Sequence, residues 1–162
     1  MILKKNYGVS ITELMIMLVV ISVIMTMSFI AYNNAVNIQK SAEAVKQLGF
    51  AVSKTRSYAQ TKGIITQIII TSDKNTYTIK ANGNTISDPT YFDGFSGELP
   101  SGTKVISNSC SNNIYFYIDG TPLTSISPKT IMNSDCLVKV GINNENYKAL
   151  NINGSTGEVT YE

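Results

Sequence analysis

Residues 14–31 are apolar except for Ser22, Thr26 and Ser28, and none of them carries a charge. As a helix rising about 1.5 Å per residue, the run is roughly 27 Å long, close to the hydrocarbon thickness of a bilayer. Ahead of it stand Lys4 and Lys5, then Gly8, then a single carboxylate, Glu13, at the edge of the apolar segment. An unpaired charge in that place costs several kcal/mol if it is drawn into hydrocarbon. Glu13 therefore calls for a cationic partner.

Lys4-Lys5-Asn6-Tyr7-Gly8-Val9-Ser10-Ile11-Thr12-Glu13, followed by that apolar run, resembles the class III signal of type IV prepilins and type II secretion pseudopilins. The resemblance implies that a prepilin peptidase cuts after Gly8 on the cytoplasmic side and leaves the apolar helix attached. Val9 would then be the mature N-terminus, with its amine methylated, and Glu13 the fifth mature residue. It also implies that Glu13 pairs with the N-terminal amine of a neighbouring subunit during assembly. Two positions depart from the family pattern: Val9 stands where Phe or Met is usual, and Thr12 where an aliphatic residue is usual.

Two other readings account for less. A secretory signal needs small residues at a cleavage site after the apolar run, whereas here Phe29 precedes Ala31 and Tyr32-Asn33-Asn34 follow it. A plain membrane anchor explains the length of the run and the lysines, but neither Gly8 nor Glu13.

About 130 residues remain after the apolar run, enough for one domain with its own core. The chain holds 13 Lys and Arg against 11 Asp and Glu. Loss of Lys4 and Lys5 with the leader leaves 11 bases against the 11 acids, so bulk charge supplies no pull toward nucleic acid or anionic lipid. The distribution is uneven. Residues 33–62 carry Lys40, Lys46, Lys54, Arg56 and Lys62 against Glu43 alone, whereas from Gly63 onward nine acids face six lysines. A solvated helix face is the plain reading of that basic stretch; the functional one is contact with acidic neighbours in a filament.

Ile38, Ala42, Val45, Leu48, Val52 and Ala59 recur at helical steps, and no proline occurs before Pro89. The spacing predicts one helix over 9–62, with a membrane-embedded first half and an amphipathic second half, stopped by Gly63. Strands are expected at 64–71, 76–81, 104–107, 113–118, 137–142, 147–152 and 158–161, with a loop-rich region at 87–102 and tight turns such as Asn82-Gly83. The fold class is α+β: a long N-terminal helix packed on a mostly antiparallel β-sheet head. The expected organisation is a leader at 1–8, a membrane and assembly half at 9–32, an amphipathic half at 33–62 and a β-rich head at 63–162.

The segment Ile114-Tyr115-Phe116-Tyr117-Ile118-Asp119-Gly120-Thr121-Pro122 and the closing Leu150-Asn151-Ile152-Asn153-Gly154-Ser155-Thr156-Gly157-Glu158-Val159 resemble the GspH/FimT group of minor pilins. That likeness implies a minor pilin or pseudopilin, held in the bacterial inner membrane by one span with its head outside the cytoplasm and then extracted into a filament. Its implied partners are the prepilin peptidase, other pilin subunits and an inner-membrane assembly platform. FimT-type members implicated in DNA uptake carry basic residues after the last glycine, and a DNA-binding minor pilin is the alternative. Here Gly157 is followed by Glu158-Val159-Thr160-Tyr161-Glu162, which lacks the bases that phosphate contacts require. Lys104, Lys129, Lys139 and Lys148 would have to converge elsewhere.

With the head outside the cytoplasm, Cys110 and Cys136 are expected to form a disulfide. It would join the loop before strand 113–118 to the start of strand 137–142, with two buried thiols as the alternative. Closing that loop stabilises by roughly 3–4 kcal/mol in the chain-entropy account. The chain has no histidine, so it can build neither a Ser–His nor a Cys–His pair, and no metal site or cofactor is expected. Asp73, Asp88, Asp93, Asp119 and Asp135 stand in turn contexts, where Asp serves backbone bonding. No phosphate-binding glycine motif occurs. An enzyme is not expected.

Overall fold

The computed structural model describes residues 10–82, 84–85 and 96–162. The leader, Gly8, Val9 and most of the 87–102 region lie outside these residues, as does Gly83 of the Asn82-Gly83 turn.

One helix, α1, runs over Ile11–Lys62. It opens with the Leu14 N–H donating to the Ser10 carbonyl at 3.1 Å, which makes Ser10 the residue that caps it. It closes at Gly63, whose φ of 63° is open to glycine and costly for most other residues. There the Ile64 N–H turns back to the Ala59 carbonyl at 3.3 Å and satisfies one carbonyl of the last turn. The chain divides into two compact units, residues 1–36 and 37–162. In the first, the described part is the apolar portion of α1.

The second unit comprises α1 residues 37–62 and eleven strands. These are β1 (Thr66–Ile70), β2 (Thr76–Ala81), β3 (Asn84–Thr85), β4 (Ser96–Glu98), β5 (Lys104–Asn108), β6 (Asn113–Phe116), β7 (Pro122–Ser125), β8 (Thr130–Ile131), β9 (Cys136–Gly141), β10 (Tyr147–Ile152) and β11 (Val159–Tyr161). They form two antiparallel sheets rather than one. The larger has the order β3-β2-β1-β6-β7-β8, with β4 also on the outer edge of β2; the smaller has the order β11-β10-β9-β5. In β1 side chains alternate strictly, so Ile68 and Ile70 enter the core while Gln67 and Ile69 face out.

The core joins Ala44, Val45, Leu48, Ala51, Val52 and Ala59 of α1 to the inner faces of both sheets, among them Ile68, Ile114, Phe116, Val138, Val140 and Leu150. Hydrogen bonds also tie α1 to the head. The Ser41 hydroxyl donates to the Asn146 carbonyl at 2.9 Å, and the Thr66 hydroxyl to the Thr55 carbonyl at 3.1 Å. Gln60 Nε2 reaches the Asp119 carbonyl at 2.9 Å. Two members of the expected apolar stripe stand differently: Ala42 is only partly covered and Ile38 is 50% exposed. Ser41 takes the inward position there because its hydroxyl finds a backbone acceptor in the turn between β9 and β10.

The α+β arrangement matches expectation, and all seven anticipated strands appear, several trimmed by one or two residues at an end. The elements not foreseen are β3, β4, β7 and β8. Strand β4 occupies part of the expected loop region, and β7 begins at Pro122, where a missing N–H is tolerated. Cys110 and Cys136 are disulfide-bonded with their Cα atoms 5.4 Å apart, tying the segment between β5 and β6 to the start of β9.

Candidate functional site

Every described residue from Ser10 to Ala35 is exposed. Phe29, for example, keeps 67% of its surface open. The most apolar window of α1 has a mean hydropathy of 2.7 and none of it is buried. Its three hydroxyls are satisfied locally: Ser22 donates to the Val19 carbonyl at 2.7 Å, Thr26 to Ser22 at 2.8 Å, and Ser28 to Ile24 at 2.9 Å. Back-bonding of this kind leaves no open side-chain donor on the helix surface. What remains is a cylinder of Leu, Ile, Val, Met and Phe, each of which gains about 1.5–3 kcal/mol on full transfer from water to an apolar phase.

Glu13 lies in the first turn of α1, where the positive end of the helix dipole favours a carboxylate. Among the described residues it meets no cation, and the next charged side chain along the helix is Lys40. Ser10 and Thr12 hydroxyls face each other at 2.7 Å beside it. Gly8 and Val9, the expected processing residues, lie outside the described residues.

Two of the lysines of residues 37–62 stack on rings of their own helix. Lys54 Nζ sits 4.7 Å from the centre of the Phe50 ring and Lys62 Nζ 6.0 Å from that of Tyr58. Arg56 is half-buried. The four head lysines weighed above for DNA contact have separate partners. Lys104 is paired with Asp73 at 2.8 Å, and Lys129 lies 3.5 Å over the Tyr117 ring. Lys139 lies 4.8 Å over Tyr147, while Lys148 shares a shallow depression of about 240 Å³ with Lys46, Tyr161 and Glu162. The chain end is the edge strand β11, and its carboxylates Glu158 and Glu162 are exposed.

The described turn aspartates serve their own surroundings. Lys104 holds the Asp73 carboxyl below its usual range by a hydrogen bond and by its charge. The Asp119 carboxylate accepts the Thr121 N–H at 2.8 Å, which lowers its pKa likewise. Asp135 accepts the Gly154 N–H at 3.0 Å. Asp88 and Asp93 lie outside the described residues. No group of His, Cys, Asp and Glu able to hold a metal ion occurs among the described residues.

Two residues of consequence escaped the sequence reading. Gly49 is buried within the helix beneath the C-terminal strand: a Cβ there would stand 2.7 Å from the Tyr161 hydroxyl oxygen and 2.9 Å from Leu150 Cδ1. An isolated glycine within a helical pattern is the available signal for such close packing. Arg56 is the other, and its place could not be read without the two turns that surround it.

No family model matches the chain, and no curated protein matches it. Solved structures do. The type IV minor pilin FimU of Pseudomonas aeruginosa superposes with a TM-score of 0.53 at 16% identity, over 76% of this chain and 89% of that one. The minor pseudopilin EpsH of the type 2 secretion system of Vibrio cholerae superposes with a TM-score of 0.54 at 9% identity, over 76% of this chain and 96% of that one. At such identities the likeness is one of fold: a long N-terminal helix against a head of antiparallel sheets.

Proposed function

We propose that this chain is a minor pilin or pseudopilin, a structural subunit and not an enzyme. The observation that carries the reading is the exposed apolar half of α1, closed to hydrogen bonding and preceded by the single carboxylate Glu13, on a fold similar to FimU and EpsH. In this reading residues 1–8 are a leader that a prepilin peptidase removes after Gly8, and the amine of Val9 is then methylated. Residues 9–32 hold the subunit in the inner membrane as a single span with the head outside the cytoplasm. An assembly platform extracts it into a filament, where apolar helices of other pilin subunits replace lipid.

Glu13 acts in assembly through the N-terminal amine of a neighbouring subunit. In a low-dielectric setting such a pair sets register more than it adds net stability. The test follows the full chain, produced with a pilus or secretion assembly system, into sheared filaments. Wild type should be recovered there, whereas Glu13→Ala should be processed normally and stay in the membrane fraction. Entry of Glu13→Ala at the wild-type level would remove that role.

DNA capture is the weaker reading. The exposed acids Glu158 and Glu162, the second of them in the depression shared by Lys46 and Lys148, and the ion pair that occupies Lys104 all oppose a polyanion.

A further inference from the structure

The smaller sheet is sealed along one edge and open along the other. At β5 the turn after β1 closes the edge: the Asp73 N–H donates to the Val105 carbonyl at 2.7 Å, and the Val105 N–H to the Lys74 carbonyl at 2.9 Å. Strand β11 has no such cover. Glu158, Thr160 and Glu162 turn their backbone groups to β10, with the Asn153 N–H donating to the Glu158 carbonyl at 2.8 Å and the Glu162 N–H to the Ala149 carbonyl at 3.0 Å. In an antiparallel ladder the residues between them point the other way. These are Val159 and Tyr161, whose N–H and C=O groups meet no backbone partner among the described residues. A groove of about 580 Å³ runs beside them, lined by Glu43, Lys46, Gln47 and Phe50 of α1 and by Tyr161. No residue of β10 lines it, which puts it on the open side of β11. Phe50 keeps 60% of its surface exposed and Tyr161 54%.

An unpaired strand edge beside an exposed aromatic groove accepts an extended chain. From this geometry we infer that β11 receives an extended segment of a different polypeptide as a fifth, antiparallel strand of the smaller sheet, at a site in the head that does not depend on the filament reading. Charge decides the chemistry of that segment. Val159 and Tyr161 pair with the buried Ile152 and Leu150 and share their inner face, so alternation sends Glu158, Thr160 and Glu162 to the outer one. Both glutamates are exposed, and neither forms an ion pair with a described residue. On the inner side Lys46 lines the groove and Lys54 lies over Phe50, which turns basic residues away. The added strand therefore sets apolar residues against Phe50 and Tyr161 and Lys or Arg beside Glu158 and Glu162: apolar and basic residues alternate. A second copy of β11 fits poorly. Pairing Val159 of one copy with Tyr161 of the other sets Glu158 against Glu162 at both ends, and like charges in that place repel.

The test reads the fluorescence anisotropy of a short dye-labelled peptide of alternating valine and lysine, mixed with the full chain in neutral detergent and, separately, with empty micelles. Two further peptides serve as controls. One alternates valine and glutamate; the other is the valine–lysine peptide N-methylated at each valine, whose N–H would face β11 in antiparallel pairing. Wild type is compared with Phe50→Ser and with the double variant Glu158→Lys, Glu162→Lys. The expected result is that wild type binds the valine–lysine peptide at least tenfold more tightly than either control. Phe50→Ser should weaken that binding about tenfold, and the double variant should prefer the valine–glutamate peptide. A methylated peptide that binds as well as the plain one overturns the inference, because charge alone then holds it. This arm needs only wild type, so it does not hang on the folding of a variant. Wild type that binds no peptide above the empty-micelle signal overturns the inference too, and so does a double variant that keeps wild-type affinity for the valine–lysine peptide. A concentration-dependent dimer of wild type that Phe50→Ser abolishes would assign the edge to a second copy instead.

Discussion

At the scale of single residues, close packing decides more than intrinsic preference. Ala would suit the middle of α1 better than glycine by about 1 kcal/mol, yet Gly49 lies under Tyr161 and against the buried Leu150. Tyr161 is 54% exposed and its ring can shift, whereas Leu150 is fully buried and has no such freedom. Overpacking of this kind costs about 1–3 kcal/mol, so after the propensity gain of about 1 kcal/mol Gly49→Ala should destabilise the head by up to about 2 kcal/mol, read as a lower melting temperature. A melting temperature above wild type would show that helix propensity wins. The aspartates supply a second residue-scale expectation. Asp73 and Asp119 both have folded pKa values below the unfolded carboxylate value of about 3.9. A lowered pKa contributes stability that is fully present above the unfolded value and is lost as pH falls through the folded one. Both groups are exposed, so the loss on acidification should be small and should shrink in high salt. Asp73→Asn, measured by melting at neutral and at acid pH, should lose more stability relative to wild type at neutral pH than in acid.

At the scale of elements, the helix was the most legible part and the short strands the least. Proline-free chain from the apolar run to Gly63, with apolar residues at helical steps, foretold α1 because both signals are local. Strand β1 and the pair β9–β10 were equally open, since β-branched and apolar residues alternate between turn residues. Strands β3 and β8 have two residues each and carry no period at all; what makes them strands is the neighbour they pair with, Lys80 and Ala81 for β3 and Leu123 and Ser125 for β8. The inward turn of Ser41 in place of Ala42 depends on the Asn146 carbonyl, far along the chain. Arg56 is hidden from sequence for the same reason, because the turns beside it, at Gly120 and Gly157, come much later in the chain. Glu13 and the apolar run, by contrast, are fully visible, since order and composition alone define them. The disulfide is an element-scale device as well. Removing it as the pair Cys110→Ser and Cys136→Ser should cost about 2–5 kcal/mol, read by denaturant unfolding of the full chain in detergent; an unchanged midpoint would mean that the bond constrains little.

At the scale of the whole molecule, the chain combines a core that is closed on itself with a helix surface that is not. The second unit buries its own apolar residues from α1 and both sheets, while the apolar half of α1 buries none of its own. Exposing that surface to water is costly, and if lipid holds it as proposed, Val20→Lys should weaken membrane insertion by about 2.5–3.5 kcal/mol, read as a larger fraction of the chain released by membrane washing. The central claim is that this surface is a pilin's, held first by lipid and then by other subunits. Intact mass and N-terminal peptide mapping of the chain co-expressed with a prepilin peptidase test it most directly. The account predicts a chain that begins at Val9, with one added methyl on its amine. A chain that still begins at Met1 would contradict it.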